Sequence, residues 1–173
     1  MTTHPNQITA FVFDVANTLH DERQLFHKEL RQRPTLKEVL TRLQDSGTRL
    51  IIFADGGIAG AEWALNQVNL DDVFDHDDIF TTDELKGDKN KPATYERLAQ
   101  IAGLAPASTA YFDDKRENVE AAQNAGFKGV HTNVAFIKAA LAEYVPNGSG
   151  ATAKAAGRGG QDRKRQRHKP KQR

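Results

Sequence analysis

The chain has 173 residues, enough for one domain with a filled core, and it has no cysteine, which excludes a disulfide framework and thiolate chemistry. Its net charge of +1 conceals a split. Residues 146–173 carry nine Lys or Arg against one acid (9 − 1 = +8), while the other 145 residues carry 15 bases against 22 acids (15 − 22 = −7). Residues 1–7 are polar and lack an apolar signal core, and no apolar run approaches the roughly 20 residues that span a bilayer. These features lead us to expect a soluble, cytoplasmic protein with three parts: a flexible N-terminus (1–7), a folded α/β domain (8–145) and a disordered basic tail (146–173).

In chain order, Ile8-Thr9-Ala10-Phe11-Val12-Phe13 reads as a buried strand. Asp21 to Arg31 is short, charged and helical in character. Pro34-Thr35-Leu36-Lys37-Glu38 starts a helix, with Thr35 and Glu38 at capping-box spacing. Leu36, Val39, Leu40 and Leu43 form its apolar face, and Gly47 ends it. Leu50 to Phe53 is a second strand. Ile58 to Val68 is a helix with Ala61, Ala64, Leu65 and Val68 inside, and Trp63 is expected to pack there. Ile79-Phe80 is a short strand, Ala93 to Ala102 a helix, Thr109 to Phe112 a strand, Glu117 to Ala125 a helix, Lys128 to His131 a strand and Ala135 to Tyr144 a last helix.

Strands alternating with helices predict a doubly wound, three-layer, Rossmann-like α/β domain with a parallel sheet of about five strands. Ligands of such sheets gather at the carboxyl ends of the strands. That rule selects Asp14, Ala54-Asp55 and Asp113-Asp114. Several carboxylates beside a lysine form the inventory of a hard-cation site such as Mg²⁺, and adjacent carboxylates repel unless a cation or proton is shared. The acidic run Asp71, Asp72, Asp75, Asp77, Asp78 lacks calcium-loop spacing and is expected to be a solvated loop.

These residues resemble the motifs of the haloacid dehalogenase-like superfamily, mostly Mg²⁺-dependent phosphatases, over nearly all of residues 8–144. Phe13-Asp14-Val15-Ala16-Asn17-Thr18-Leu19 is similar to its first motif, Lys91-Pro92 to its third, and Phe112-Asp113-Asp114 through Asn118 to Gly126 to its fourth. The resemblance implies Asp14 as a nucleophile that forms an aspartyl-phosphate. It implies Lys91 as the neutralising cation and Thr18 as a loop support. Mg²⁺ would be held by Asp14, the carbonyl of Ala16 and Asp114, with Asp113 as a further ligand or a partner behind it. Asn118 is expected on the helix surface or behind the ligands.

Two positions depart from the family pattern. Ala16 stands where the phosphatases carry an acid–base Asp, a group worth roughly 10²–10⁴-fold in rate. Ala54-Asp55 stands where a hydroxyl residue usually contacts the phosphoryl group, and the Asp55 charge opposes an anionic substrate. Only 14 residues separate Leu19 from Pro34, and 25 separate Phe53 from Ile79, which leaves no room for a large cap domain. An open site suits a phosphorylated substrate of large size, or one covered by a partner subunit. The leading expectation is a Mg²⁺-dependent hydrolase of phosphatase type. The alternatives are a catalytically silent binding module, whose basic tail (residues 151–173) contacts nucleic acid or an acidic partner, and, less favoured, a dehalogenase-like hydrolase.

Overall fold

The computed structural model describes residues 7–19 and 34–144. The helical stretch expected at 21–31 and the basic segment 146–173 lie outside the described residues. Five strands form one sheet: β1 (Ala10–Phe13), β2 (Arg49–Ala54), β3 (Ile79–Thr81), β4 (Thr109–Asp113) and β5 (Lys128–His131). The order is β3-β2-β1-β4-β5 and every pairing is parallel. Parallel strands cannot be joined by hairpins, so helices carry the chain across each face. These are α1 (Pro34–Asp45), α2 (Ile58–Gln67), α3 (Thr82–Leu85), α4 (Pro92–Ala102), α5 (Arg116–Asn124) and α6 (Ile137–Ala142).

Both faces of the sheet are covered, which is why its central strands read as unbroken apolar runs. Successive side chains alternate between two cores. Phe11, Phe13, Leu50, Ile52 and Phe112 meet α1, α2 and α6 on one side. Val12, Ile51, Phe53 and Tyr111 meet α4 and α5 on the other. Phe13 and Phe112 are direct cross-strand partners, with stacked rings 5.1 Å apart. On the opposite face Tyr95 packs edge-on against Tyr111 and Phe53, at 4.9 and 5.7 Å. The five predicted strands are all present, within one or two residues at their ends.

Several elements differ from expectation in detail. The one-turn helix α3 follows β3 directly and is too short to show a helical period. Trp63, expected in the core, is 52% exposed on the outer side of α2, where Ala61, Ala64 and Leu65 are buried. Between β2 and β3 the chain forms only α2 and a turn of 3-10 helix (His76–Asp78), so no second domain is inserted there. Of the acidic run, Asp72 pairs with Lys37, Asp78 with Arg49, and Asp75 caps the 3-10 turn. These are structural roles, in line with a solvated loop. Among the described residues no helix is long and apolar enough to cross a membrane.

Candidate active site

Strand order reverses at β1, whose crossovers leave toward β2 on one side while β4 lies on the other. The carboxyl ends of β1 and β4 therefore face an open crevice. Asp14 leaves β1 there. Its N–H still donates to the carbonyl of Phe112 (2.9 Å), extending the ladder one residue and fixing the backbone. The following loop turns through Asn17, whose φ of 58° is left-handed, a conformation Asn tolerates. The loop is held from outside by the Val134 N–H on the Asn17 carbonyl (2.8 Å). This turn points the buried Thr18 hydroxyl back at Asp14, where it donates to Oδ2 (3.2 Å).

The cation against Asp14 is Lys89, which corrects the assignment of Lys91. Lys89 is buried, and its Nζ donates to Asp14 Oδ1. It also lies 3.9 Å from Asp113 Oδ2 and from Asp55 Oδ2, and over the Phe53 ring at 5.2 Å. Lys91 is exposed and occupies the cap position of α4, with Pro92 at the first helical turn. The segment between α3 and α4 explains the choice. A Cβ on Gly87 would meet the Thr94 hydroxyl at 2.5 Å, so only glycine lets the chain pass so close to α4. Thr94 then donates to the Asp88 carbonyl (2.7 Å), and Arg97 to the Leu85 carbonyl. Those anchors turn the intervening Lys89 inward.

Asp113 ends β4 and is fully buried. Its Oδ2 accepts from the Tyr111 hydroxyl and from Asn118 Nδ2 (3.0 Å), and its Oδ1 from the Lys115 N–H (2.8 Å). Asn118, expected on the surface or behind the ligands, is buried and does the latter: it holds Asp113 from the first turn of α5. Burial, with the Asp113 charge, pushes the Tyr111 phenol well up, so it stays a donor. Asp114 differs from its neighbour, because its Oδ1 is buried and has no hydrogen-bond partner among the described residues. Burial first, and then repulsion from Asp113, raise its carboxyl above the usual range.

Asp14, Asp113 and Asp114 each present an oxygen within 4.8 Å of the others. Burial raises the Asp14 carboxyl to about 6, against the opposing pull of Lys89 and with help from Asp113. Two buried acids and a partly buried one, gathered in this way, fit a divalent cation, and the Asp114 oxygen supplies a ligand that no other described residue uses. The backbone carbonyl of Ala16 lies on the same loop as Asp14.

Ala54 is buried at the end of β2 and carries no hydroxyl to the crevice. Asp55 follows it and is half exposed. Beside Lys89 opens a cleft of about 240 Å³, lined by Asp55, Thr82, Asn90, Lys115 and Asn118. Thr82 was not singled out from sequence. Its hydroxyl accepts from the Gly56 N–H (2.9 Å), tying the loop after β2 to α3.

Comparison with known proteins bears on this arrangement. A model of the haloacid dehalogenase-like hydrolases matches residues 20–126, more than half of the chain. The chain is 28% identical over 89 residues to "Enolase-phosphatase E1" of Leptospira borgpetersenii, covering 51% of this chain and 38% of that protein. It is 24% identical over 114 residues to "Phosphorylated carbohydrates phosphatase" of Thermotoga maritima, covering 65% of this chain and 52% of that one. It thus spans about half or less of these relatives' length. Among solved structures it resembles a dehalogenase captured with an intermediate complex (TM-score 0.62, 19% identity, 74% of this chain and 86% of that one). It also resembles a HAD-superfamily hydrolase of Ehrlichia chaffeensis (TM-score 0.58, 15% identity, 81% and 98%). At these identities the structures bear on the fold.

Proposed function

Because the chain belongs to the haloacid dehalogenase-like hydrolase family, we propose that it is a Mg²⁺-dependent phosphatase in which Asp14 attacks the phosphoryl group and becomes an aspartyl-phosphate. The observation that carries this reading is the convergence of Asp14, Asp113, Asp114 and Lys89 on one crevice. The names of the two phosphatase relatives support it.

Mg²⁺ would be held by Asp14, Asp114 and the Ala16 carbonyl, with Asp113 as the third carboxylate, and it supplies charge neutralisation at the phosphoryl oxygens. The remaining work belongs to the chain. Thr18 and Lys89 fix the two carboxylate oxygens of Asp14, so the nucleophile cannot rotate away. Lys89 also places a positive charge where negative charge accumulates during transfer. Tyr111, Asn118 and the Lys115 N–H hold Asp113 rigid behind the site. The cleft beside Lys89, about 240 Å³ in volume, has room for a phosphoryl group.

Ala16 cannot protonate a leaving group. Substrates with good leaving groups, aryl and acyl phosphates, are therefore turned over best. The acidic cluster favours phosphoryl transfer over carbon–halogen cleavage, since an alkyl halide brings no charge that calls for a dication. The test is phosphate release from a panel of phosphate esters with and without Mg²⁺, for the wild type and Asp14→Asn. Turnover that needs both Mg²⁺ and Asp14 is expected. Absence of any turnover, with both proteins behaving alike, would instead favour a silent binding domain, as the loss of side-chain function at Ala16 and Ala54 suggests.

A further inference from the structure

The cleft contains two charged side chains, those of Asp55 and Lys115, that the phosphoryl-transfer chemistry leaves unused. Asp55 Oδ2 lies 3.9 Å from Nζ of Lys89 and 3.8 Å from Nζ of Lys115. Two ammoniums from different elements, one buried in the α3–α4 segment and one at the start of α5, approach the same oxygen. Both separations exceed hydrogen-bond length, so the contacts are Coulombic and loosely held. The Asp55 side chain is 56% exposed and has solvent to move into.

The charge count shows why this matters. Asp14, Asp55, Asp113 and Asp114 lie around Lys89 and Lys115, and Asp88 and Glu117 line the same cleft, giving 2 − 6 = −4. A dication brings the site to −2, and a phosphoryl dianion returns it to −4. Withdrawing Asp55 removes one of those charges, releases Lys115 and leaves Lys89 held by Asp14 with its side toward Asp55 open.

Resting on the phosphatase reading above, we propose that Asp55 is a specificity-determining residue that competes with the phosphoryl group for an anion subsite made by Lys89 and Lys115. Its carboxylate stands between the two ammoniums, where a phosphoryl oxygen binds once Asp55 swings out. Free phosphate has only its own charge with which to displace the carboxylate, so it binds weakly and leaves readily after turnover. A phosphate ester has its leaving group as an additional source of binding energy. Lys115, exposed and unassigned from sequence, is the second cation of the subsite.

The test titrates inorganic phosphate into the full chain in Mg²⁺ buffer at constant ionic strength, by calorimetry. Wild type, Asp55→Asn, Lys115→Met and the double variant are compared. Asp55→Asn is expected to bind phosphate at least about tenfold tighter, and Lys115→Met to weaken binding in the Asp55→Asn background. Both positions are more than half exposed, and far-UV circular dichroism checks that each variant folds. Equal or weaker binding by Asp55→Asn would overturn the proposal, as would an Asp55→Asn affinity indifferent to Lys115. Absence of phosphate binding by any variant would overturn the proposal, and ester turnover by the wild type would then leave the phosphatase reading standing alone. Tighter binding by Asp55→Asn in a protein that never turns over a phosphate ester would uphold the subsite and remove the phosphatase.

Discussion

Replacing Lys89 with Met tests the charge balance at the centre of the site. The substitution keeps most of the buried volume and removes the ammonium that faces Asp14, Asp55 and Asp113. Asp14 and Asp113 are then left buried beside each other with no buried cation among the described residues, and only the exposed Lys115 nearby. Breaking a buried pair by removing one partner costs roughly 3–5 kcal/mol. The loss depends on pH in a definite direction. The folded-state pKa of Asp14 is already raised from 3.8 to about 6, burial outweighing Lys89. A carboxyl raised on folding is stabilising in its protonated form, so stability in Mg²⁺-free buffer is greatest below the unfolded value and falls as pH rises through the folded one. Removing Lys89 raises Asp14 further, so the variant's deficit is larger at pH 7.5 than at pH 5. Urea unfolding followed by far-UV circular dichroism measures both. Lys91→Met, on the exposed neighbour, should stay within about 0.5 kcal/mol of wild type. Adding Asp14→Asn to Lys89→Met should recover part of the loss, because the orphaned charge is gone. A Lys89→Met protein as stable as wild type at pH 7.5, or a larger effect from Lys91→Met, would refute the reasoning.

Other consequences follow from single positions. Ala16→Asp restores the acid–base group that the first motif lacks, and should raise steady-state hydrolysis of alkyl phosphates by roughly 10²–10⁴-fold. An unchanged rate would mean that proton transfer is already supplied elsewhere. Gly129→Ala should destabilise by about 1–3 kcal/mol in urea unfolding, because its Cβ would lie 2.9 Å from the Val119 carbonyl and 2.7 Å from the Val119 side chain. Phe112→Ala removes a ring packed between Phe11 and Phe13 and should cost about 3–5 kcal/mol by the same measurement.

The fold was legible in the sequence because each central strand is buried on two faces and so appears as a continuous apolar run. The helices between them carry plain stops, such as Gly103, which adopts a φ of 66° after α4. The same topology made Asp14 and Asp113-Asp114 legible, since residues just beyond buried strands must reach the crevice. Lys89 was not. Lys86, Lys89 and Lys91 stand within six residues, each chemically equivalent, and the Lys91-Pro92 pair matched the family pattern. What selects Lys89 is tertiary: the close pass of Gly87 over Thr94 and the grip of Arg97 on the Leu85 carbonyl. Asn118 was equally ambiguous, because an Asn in the first turn of a helix is buried or exposed according to what the preceding strand presents. Here it meets Asp113. Trp63 misled for the opposite reason: an aromatic residue in an amphipathic helix packs inward only if its angular position allows, and in α2 the small residues Ala61 and Ala64 take the inner face.

The central claim is that Asp14, between Lys89 and the paired carboxylates, is a phosphoryl-accepting nucleophile. A crystal structure of the full chain with Mg²⁺ and BeF₃⁻ tests it most directly. The account predicts beryllium bonded to an Asp14 oxygen, Mg²⁺ on Asp14, Asp114 and the Ala16 carbonyl, and Lys89 against the fluorides. Beryllium absent from Asp14, or a metal bound away from Asp114, would contradict it.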